Sequence, residues 1–182
     1  WTLKISAEHL PEVLNSAATG FQVWRKTPLT ERITYLKKYQ AEILKRADEI
    51  ATALSLETGK PLNECKGEAV GLASKVDVTI NDSLPRVEGK VITDVMPGIN
   101  GHFTFKPLGP ILIIGPFNFP CHLANGQIVS ALLAGNSIIF KPSEKTAYAP
   151  QLMMECLQAA GFPSGVINLV QGDGPLTAKL VS

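Results

Sequence analysis

The stretch GPFNFPCHLANG, residues 115–126, leaves an almost purely hydrocarbon run through two prolines and sets Asn118 between two aromatics. Pro116 and Pro120 fix φ and remove two N–H donors, so the bend between them is stiff and the Asn118 amide is held in one place. A fixed amide N–H is what a developing oxyanion needs, because nothing has to reorganise when the charge appears. The same side chain could instead cap a helix starting near His122, or support the turn. Two further loops, Lys141-Pro142-Ser143-Glu144 and Gln171-Gly172-Asp173-Gly174-Pro175, also follow apolar runs. Lys141 and Glu144 have the chemistry to hold a ribose, the ammonium donating and the carboxylate accepting from paired hydroxyls. The plainer alternative is a surface ion pair worth under about 1 kcal/mol. GDG at 172–174 lacks the third glycine of GxGxxG, and Pro175 follows at once, so a helix N-terminal turn explains it as well as a phosphate loop does.

Cys121 beside His122 has the composition of a nucleophile and base. Neighbouring residues at a helix start project in different directions, however, so Cys121 is expected to be a small packing residue. His9, His102 and His122 are scattered without metal-ligand spacing, and no metal is expected.

The elements that must position these loops follow from the pattern around them. From residue 110 the order is strand, helix, strand, helix, strand: 111–114, about 122–135, 137–141, about 146–160 and 166–170. Continuous apolar strands alternating with helices imply a parallel α/β sheet covered on both faces, with right-handed crossovers. Ligands in such sheets bind at the carboxyl ends of the strands, where all three loops fall. Ahead of the sheet, Leu10, Val13, Leu14, Ala17, Phe21 and Trp24 mark one helix after a Ser6 cap. Thr30 is placed to cap a second, with Ile33, Leu36, Tyr39, Ile43 and Leu44 on its face, continuing through Ile50 to Leu54 and stopping at ETGKP, 57–61. A third carries Val70, Leu72, Ala73, Val76 and Ile80 as far as Leu84-Pro85. These helices are assigned packing and no chemistry. RVEGKVITDV and HFTFKPLG then read as a two-stranded ribbon, polar on both faces, joined across MPGING. A lone ribbon of this kind is expected to lie against another subunit or domain.

The 182 residues fit one large domain, or one with an appendage. Seventeen Lys and Arg balance sixteen Asp and Glu, which gives no electrostatic reason to expect nucleic acid or an anionic membrane as partner. No apolar run reaches the roughly 18 residues of a membrane span. Three cysteines without a CxxC point to a reducing, cytoplasmic setting. The start at Trp1 and the stop in an apparent helix at Ser182 are expected to be those of an internal piece of a longer protein.

GPFNFPCHLANGQIVSALLAGNSIIFKPSEKT, followed by AGFPSGVINLVQGDG, resembles the aldehyde dehydrogenase superfamily, in which a proline-flanked NFP loop, a KPSE segment and a GVxNxV-x-G-x-G segment occur in this order. The likeness is greatest to its succinylglutamate-semialdehyde branch, and ETGKP and the ribbon before Pro107 fit as well. The resemblance implies a Rossmann-type parallel sheet with N-terminal helices and an oligomerisation β-hairpin. Residues 1–84 would be the helical part of the cofactor domain, 85–107 the hairpin joining a homo-oligomer, and 108–182 the first βαβαβ part of the NAD-binding domain. It implies that Asn118 is the side-chain member of the oxyanion hole for a Cys thiohemiacetal. Ile114, Gly115, Pro116 and Phe117 would line the dinucleotide, Lys141, Ser143 and Glu144 would contact the adenosine ribose, and Gly174 would lie beside the adenine. Glu144 would repel a 2′-phosphate, which favours NAD over NADP. The family's nucleophilic Cys and general-base Glu are expected beyond Ser182, so this chain alone is expected to be inactive. Phe117, where many members have Trp, should leave an apolar wall. A relative oxidising pyrroline-5-carboxylate or glutamate semialdehyde is the alternative within the enzymes, and a non-catalytic nucleotide-binding module the alternative outside them.

Overall fold

The computed structural model describes residues 7–182. Four helices come first: α1 (Leu10–Trp24), α2 (Leu29–Lys45), α3 (Ala47–Thr58) and α4 (Leu62–Val78). A π turn (Thr79–Ser83) and a 3-10 turn (Leu84–Val87) then lead into the antiparallel strands β1 (Lys90–Met96) and β2 (Ile99–Phe103). The rest alternates: β3 (Ile111–Ile114), α5 (His122–Leu133), β4 (Ile138–Lys141), α6 (Tyr148–Ala159), β5 (Ile167–Leu169) and α7 (Gly174–Val181).

The parallel sheet has the expected order β3-β4-β5, with Ile114 opposite Lys141 and Phe140 opposite Leu169. This register brings the three carboxyl ends to one edge. Within each continuous apolar strand the pleat still separates two faces. Ile113, Ile138 and Phe140 join α2 to α6 in the main core, whereas Ile139, with Leu112 packed against it, meets Leu10, Ala17, Val170 and Leu176 from the α1 and α7 side. Both faces are therefore covered, as a parallel sheet requires. Each fully buried Leu or Ile contributes about 1.5–3 kcal/mol.

Polar groups tie the helices to the sheet where apolar contact alone would allow sliding. Tyr39 Oη donates to Asn125 Oδ1 at 2.7 Å, and Asn125 Nδ2 donates to the Leu72 carbonyl at 2.9 Å, so α2, α4 and α5 are locked around one fully buried amide. Trp24 Nε1 donates to the Leu132 carbonyl at 2.8 Å and fixes α1 against α5.

Several expectations need correction. The Ser6 cap lies outside the described residues; the N-cap position of α1 is His9, which makes no side-chain capping hydrogen bond, and Pro11 sits in the first turn. Thr30 lies inside α2, which begins after Pro28. The rigid φ of the proline sets that start, so no hydroxyl cap is needed. The second helix is two, because Arg46 (φ −108°, ψ 14°) leaves helical geometry between α2 and α3. Leu14, Leu44 and Val70, assigned to buried faces, are exposed. The stop at ETGKP is as expected, with Gly59 left-handed at φ 75°.

The ribbon also differs. Its turn is at Pro97-Gly98, so β2 begins within MPGING, and neither face is purely polar: Val91, Ile92, Val95, Met96, Ile99 and Phe103 are all exposed. Within the described residues no second layer covers either face, so the alternation hides nothing.

Candidate functional site

Asn118 lies in the loop from β3 to α5, at the carboxyl edge of the sheet, with its side chain exposed. The capping alternative is removed: the N-cap of α5 is Cys121, and no side-chain hydrogen bond reaches it. Upstream, the Gly115 N–H donates to the Lys141 carbonyl at 2.9 Å and extends the β3–β4 ladder by one residue. A Cβ at Gly115 would stand 2.9 Å from Phe140 Cε2, so only glycine lets the chain pass over that ring. Pro116 is half-buried, Pro120 and Cys121 are buried, and Phe117 and Phe119 flank Asn118 with exposed rings. The loop is thus anchored at both ends and open in the middle.

A cleft of about 300 Å³ adjoins Asn118, lined by Glu57, Thr58, Lys60, Phe117, Lys145 and Thr146. Glu57 and Thr58 come from the end of α3, which was assigned packing alone, and Lys60 from the stop that follows it. Glu57 also accepts from the Tyr148 and Ala149 N–H groups, both at 2.8 Å, and so holds the start of α6 with a carboxylate where the helix dipole favours one. ETGKP is therefore both a helix stop and a wall of this cleft. The acid in a helix stop was the available signal, but its partner lies 91 residues away in the chain.

Lys141 and Glu144 do pair, with Nζ to Oε2 at 3.4 Å. The geometry is unlike a surface ion pair, since the Lys141 side chain is 4% exposed and that of Glu144 is 46% exposed. The Glu144 carboxyl is held below the usual range by its own backbone N–H first and by the Lys141 ammonium next, against the opposing effect of partial burial. A buried ammonium with one long contact has donors to spare, and an exposed carboxylate beside it has acceptors to spare. That donor set fits a diol. Ser143 is buried and shapes the turn, its Oγ accepting from the Lys145 N–H at 3.2 Å.

The third loop meets the second through Gln171, whose Nε2 donates to the Ala147 carbonyl at 2.9 Å. Asp173 caps α7 by accepting from the Leu176 N–H at 3.1 Å, so the helix-turn reading of GDG holds. Gly174 opens α7, and a Cβ there would meet nothing within 4 Å. Ile114 is exposed beyond the sheet core, at the same edge. The cleft beside Asn118 takes in Phe117 but none of Ile114, Lys141, Ser143, Glu144 or Gly174. The two halves of the edge are neighbours, each with its own chemistry.

None of the three thiols is poised to attack. Cys65, Cys121 and Cys156 are free and buried, and burial is the first cause pushing each thiol up, to about 11 for Cys156. The packing role expected of Cys121 stands. Among the described residues no cluster of His, Cys, Asp and Glu could hold a metal ion, and no helix is long and apolar enough to cross a membrane.

Comparison with known proteins agrees with this architecture. N-succinylglutamate 5-semialdehyde dehydrogenase 2 of Caulobacter vibrioides is 45% identical over 161 residues, 88% of this chain and 33% of that protein. The N-succinylglutamate 5-semialdehyde dehydrogenase of Vibrio cholerae is 40% identical, over 92% of this chain and 34% of its own length. The chain thus spans about a third of the length of these relatives. Among solved structures, an E. coli NADP dependent enzyme superposes with a TM-score of 0.90 at 28% identity, covering 98% of this chain and 37% of the other. A Sinorhizobium meliloti NAD-dependent aldehyde dehydrogenase gives 0.90 at 29%, covering 97% and 35%. The aldehyde dehydrogenase family model matches residues 2–182, and with the fold and the loop order in agreement, this chain belongs to the aldehyde dehydrogenase family.

Proposed function

We propose that the protein carrying this chain is an NAD-dependent dehydrogenase that oxidises a semialdehyde, N-succinylglutamate 5-semialdehyde first among the candidates, to the acid. The carrying observation is Asn118: an amide at the carboxyl edge of a parallel sheet, on a proline-bounded loop, spared from helix capping and open to a cleft. Its N–H donates to the aldehyde oxygen as that oxygen becomes an alkoxide in the thiohemiacetal, and stabilises the charge without reorganising. The attacking thiolate comes from outside these residues, in keeping with three thiols that burial keeps protonated. On this reading the chain alone is inactive.

NAD, when bound, accepts the hydride. Ile114, Gly115, Pro116 and Phe117 form the wall beside it, Lys141 and Glu144 take the adenosine ribose hydroxyls, Ser143 keeps their turn, and Gly174 leaves room for the adenine. Glu144 carries the preference for NAD, because a 2′-phosphate would meet its carboxylate. The structural likenesses include one NAD-dependent and one NADP dependent protein, so this preference rests on Glu144 alone. Residues 85–107 form the contact of a homo-oligomer, supported by their exposed apolar side chains. Free buried thiols fit a cytoplasmic protein.

The test is NAD reduction by the full-length protein on N-succinylglutamate 5-semialdehyde beside pyrroline-5-carboxylate and its open semialdehyde. The highest kcat/KM on the succinylated substrate supports the reading. A higher value on pyrroline-5-carboxylate transfers the assignment to that substrate, and the absence of turnover on every aldehyde would leave a binding module.

A further inference from the structure

Lys60 stands where two clefts meet. It lines the one beside Asn118 and also a second, of about 220 Å³, whose other walls are Glu64, Glu68, Phe119 and His122. Its Nζ lies 3.5 Å from the centre of the Phe119 ring and 2.9 Å from Glu68 Oε2. The side chains of Lys60 and Glu68 are 21% and 6% exposed, so cation and carboxylate meet largely out of water, where their contact is stronger than at the surface, while the Phe119 ring keeps one side open. Glu68 Oε1 is buried without a hydrogen-bond partner, which leaves Lys60 as the group that balances this carboxylate. The prolines hold this bend less completely than the sequence led one to expect: they fix φ at 116 and 120, and Pro120 restricts Phe119, but neither ring sets the torsions of Phe117 and Asn118. Without a further restraint the segment carrying Asn118 would rotate, and the ring next to it is what Lys60 grips.

We infer that Lys60, itself held by Glu68, is a positioning residue that clamps Phe119 and through it fixes the direction of the Asn118 amide. This rests on the oxyanion role proposed above for Asn118. Lys60 touches no reacting atom. Its effect should appear in turnover and vanish when Asn118 has no amide to aim.

The experiment is a cycle in the full-length enzyme. Lys60→Met is combined with Glu68→Gln, so that no buried charge is left unpaired, and kinetics are measured with Asn118 present and in the Asn118→Ala background. With Asn118 present, kcat should fall about 10-fold, the size of one partly desolvated cation–π contact, while KM stays within about twofold. In the Asn118→Ala background the same pair of substitutions should cost nothing further. Lys60→Arg, which keeps a cation over the ring, should retain most of kcat. Equal losses in both backgrounds, or no loss in either, would overturn the clamp and leave the oxyanion role intact. Undiminished turnover in Asn118→Ala itself would overturn both.

Discussion

Lys141 spends its burial on a single contact to Glu144, and that imbalance is where the cofactor preference can be tested. Glu144→Gln keeps the shape but removes the charge that would face a 2′-phosphate. NAD affinity should weaken by several-fold, about the value of one charge-assisted hydrogen bond, and the ratio of kcat/KM for NAD over NADP should fall. An unchanged ratio would remove Glu144 from the ribose. The thiols give a second residue-scale prediction. Iodoacetamide at neutral pH should leave Cys121 and Cys156 unmodified in the folded protein, because both are buried and protonated; mass spectrometry of the alkylated protein reads this directly. Asn118, Lys141 and Glu144 were legible in the sequence because strand ends and prolines mark them. Glu57 and Lys60 were not, since their partners at Tyr148, Ala149 and Phe119 become neighbours only through tertiary packing.

Elements rather than single side chains decide how firmly that edge is built. Glu57 supplies the acceptors for the first two N–H groups of α6, whose N-cap position, Ala147, has no side-chain cap. Glu57→Ala should therefore cost about 1–2 kcal/mol in urea unfolding, as loss of a helix cap does. An unchanged midpoint would show that solvent takes its place. Helix α1 approaches the turn before β5 so closely that a Cβ at Gly20 would lie 2.1 Å from the Gly165 carbonyl carbon. Backbone cannot yield as a rotamer does, so Gly20→Ala should cost roughly 3 kcal/mol or more. The βαβαβ order was readable because long apolar strands between helices have few other solutions. The break at Arg46 was not: apolar residues keep helical spacing across it, and only the backbone there departs from the helix.

At the scale of the molecule, the helices of the first half and the sheet of the second share one core, while β1 and β2 stand apart with apolar residues on show. The sequence marked the ribbon as unable to bury itself, but assigned its faces as polar. Alternation is informative only when one face is covered, and in the proposed homo-oligomer that cover comes from a second subunit. Paired Val91→Asp and Ile99→Asp substitutions should reduce the full-length protein to a smaller assembly in sedimentation analysis without loss of helical signal. An unchanged assembly would place the subunit contact elsewhere.

The oxyanion role of Asn118 is tested by the rate of aldehyde-dependent NAD reduction by the full-length protein beside its Asn118→Ala variant, with NAD affinity measured in parallel. If Asn118 donates to the oxyanion, kcat should fall roughly 100- to 1000-fold, the usual cost of one oxyanion donor, with NAD affinity unchanged. A variant that turns over at the parent rate would contradict that role.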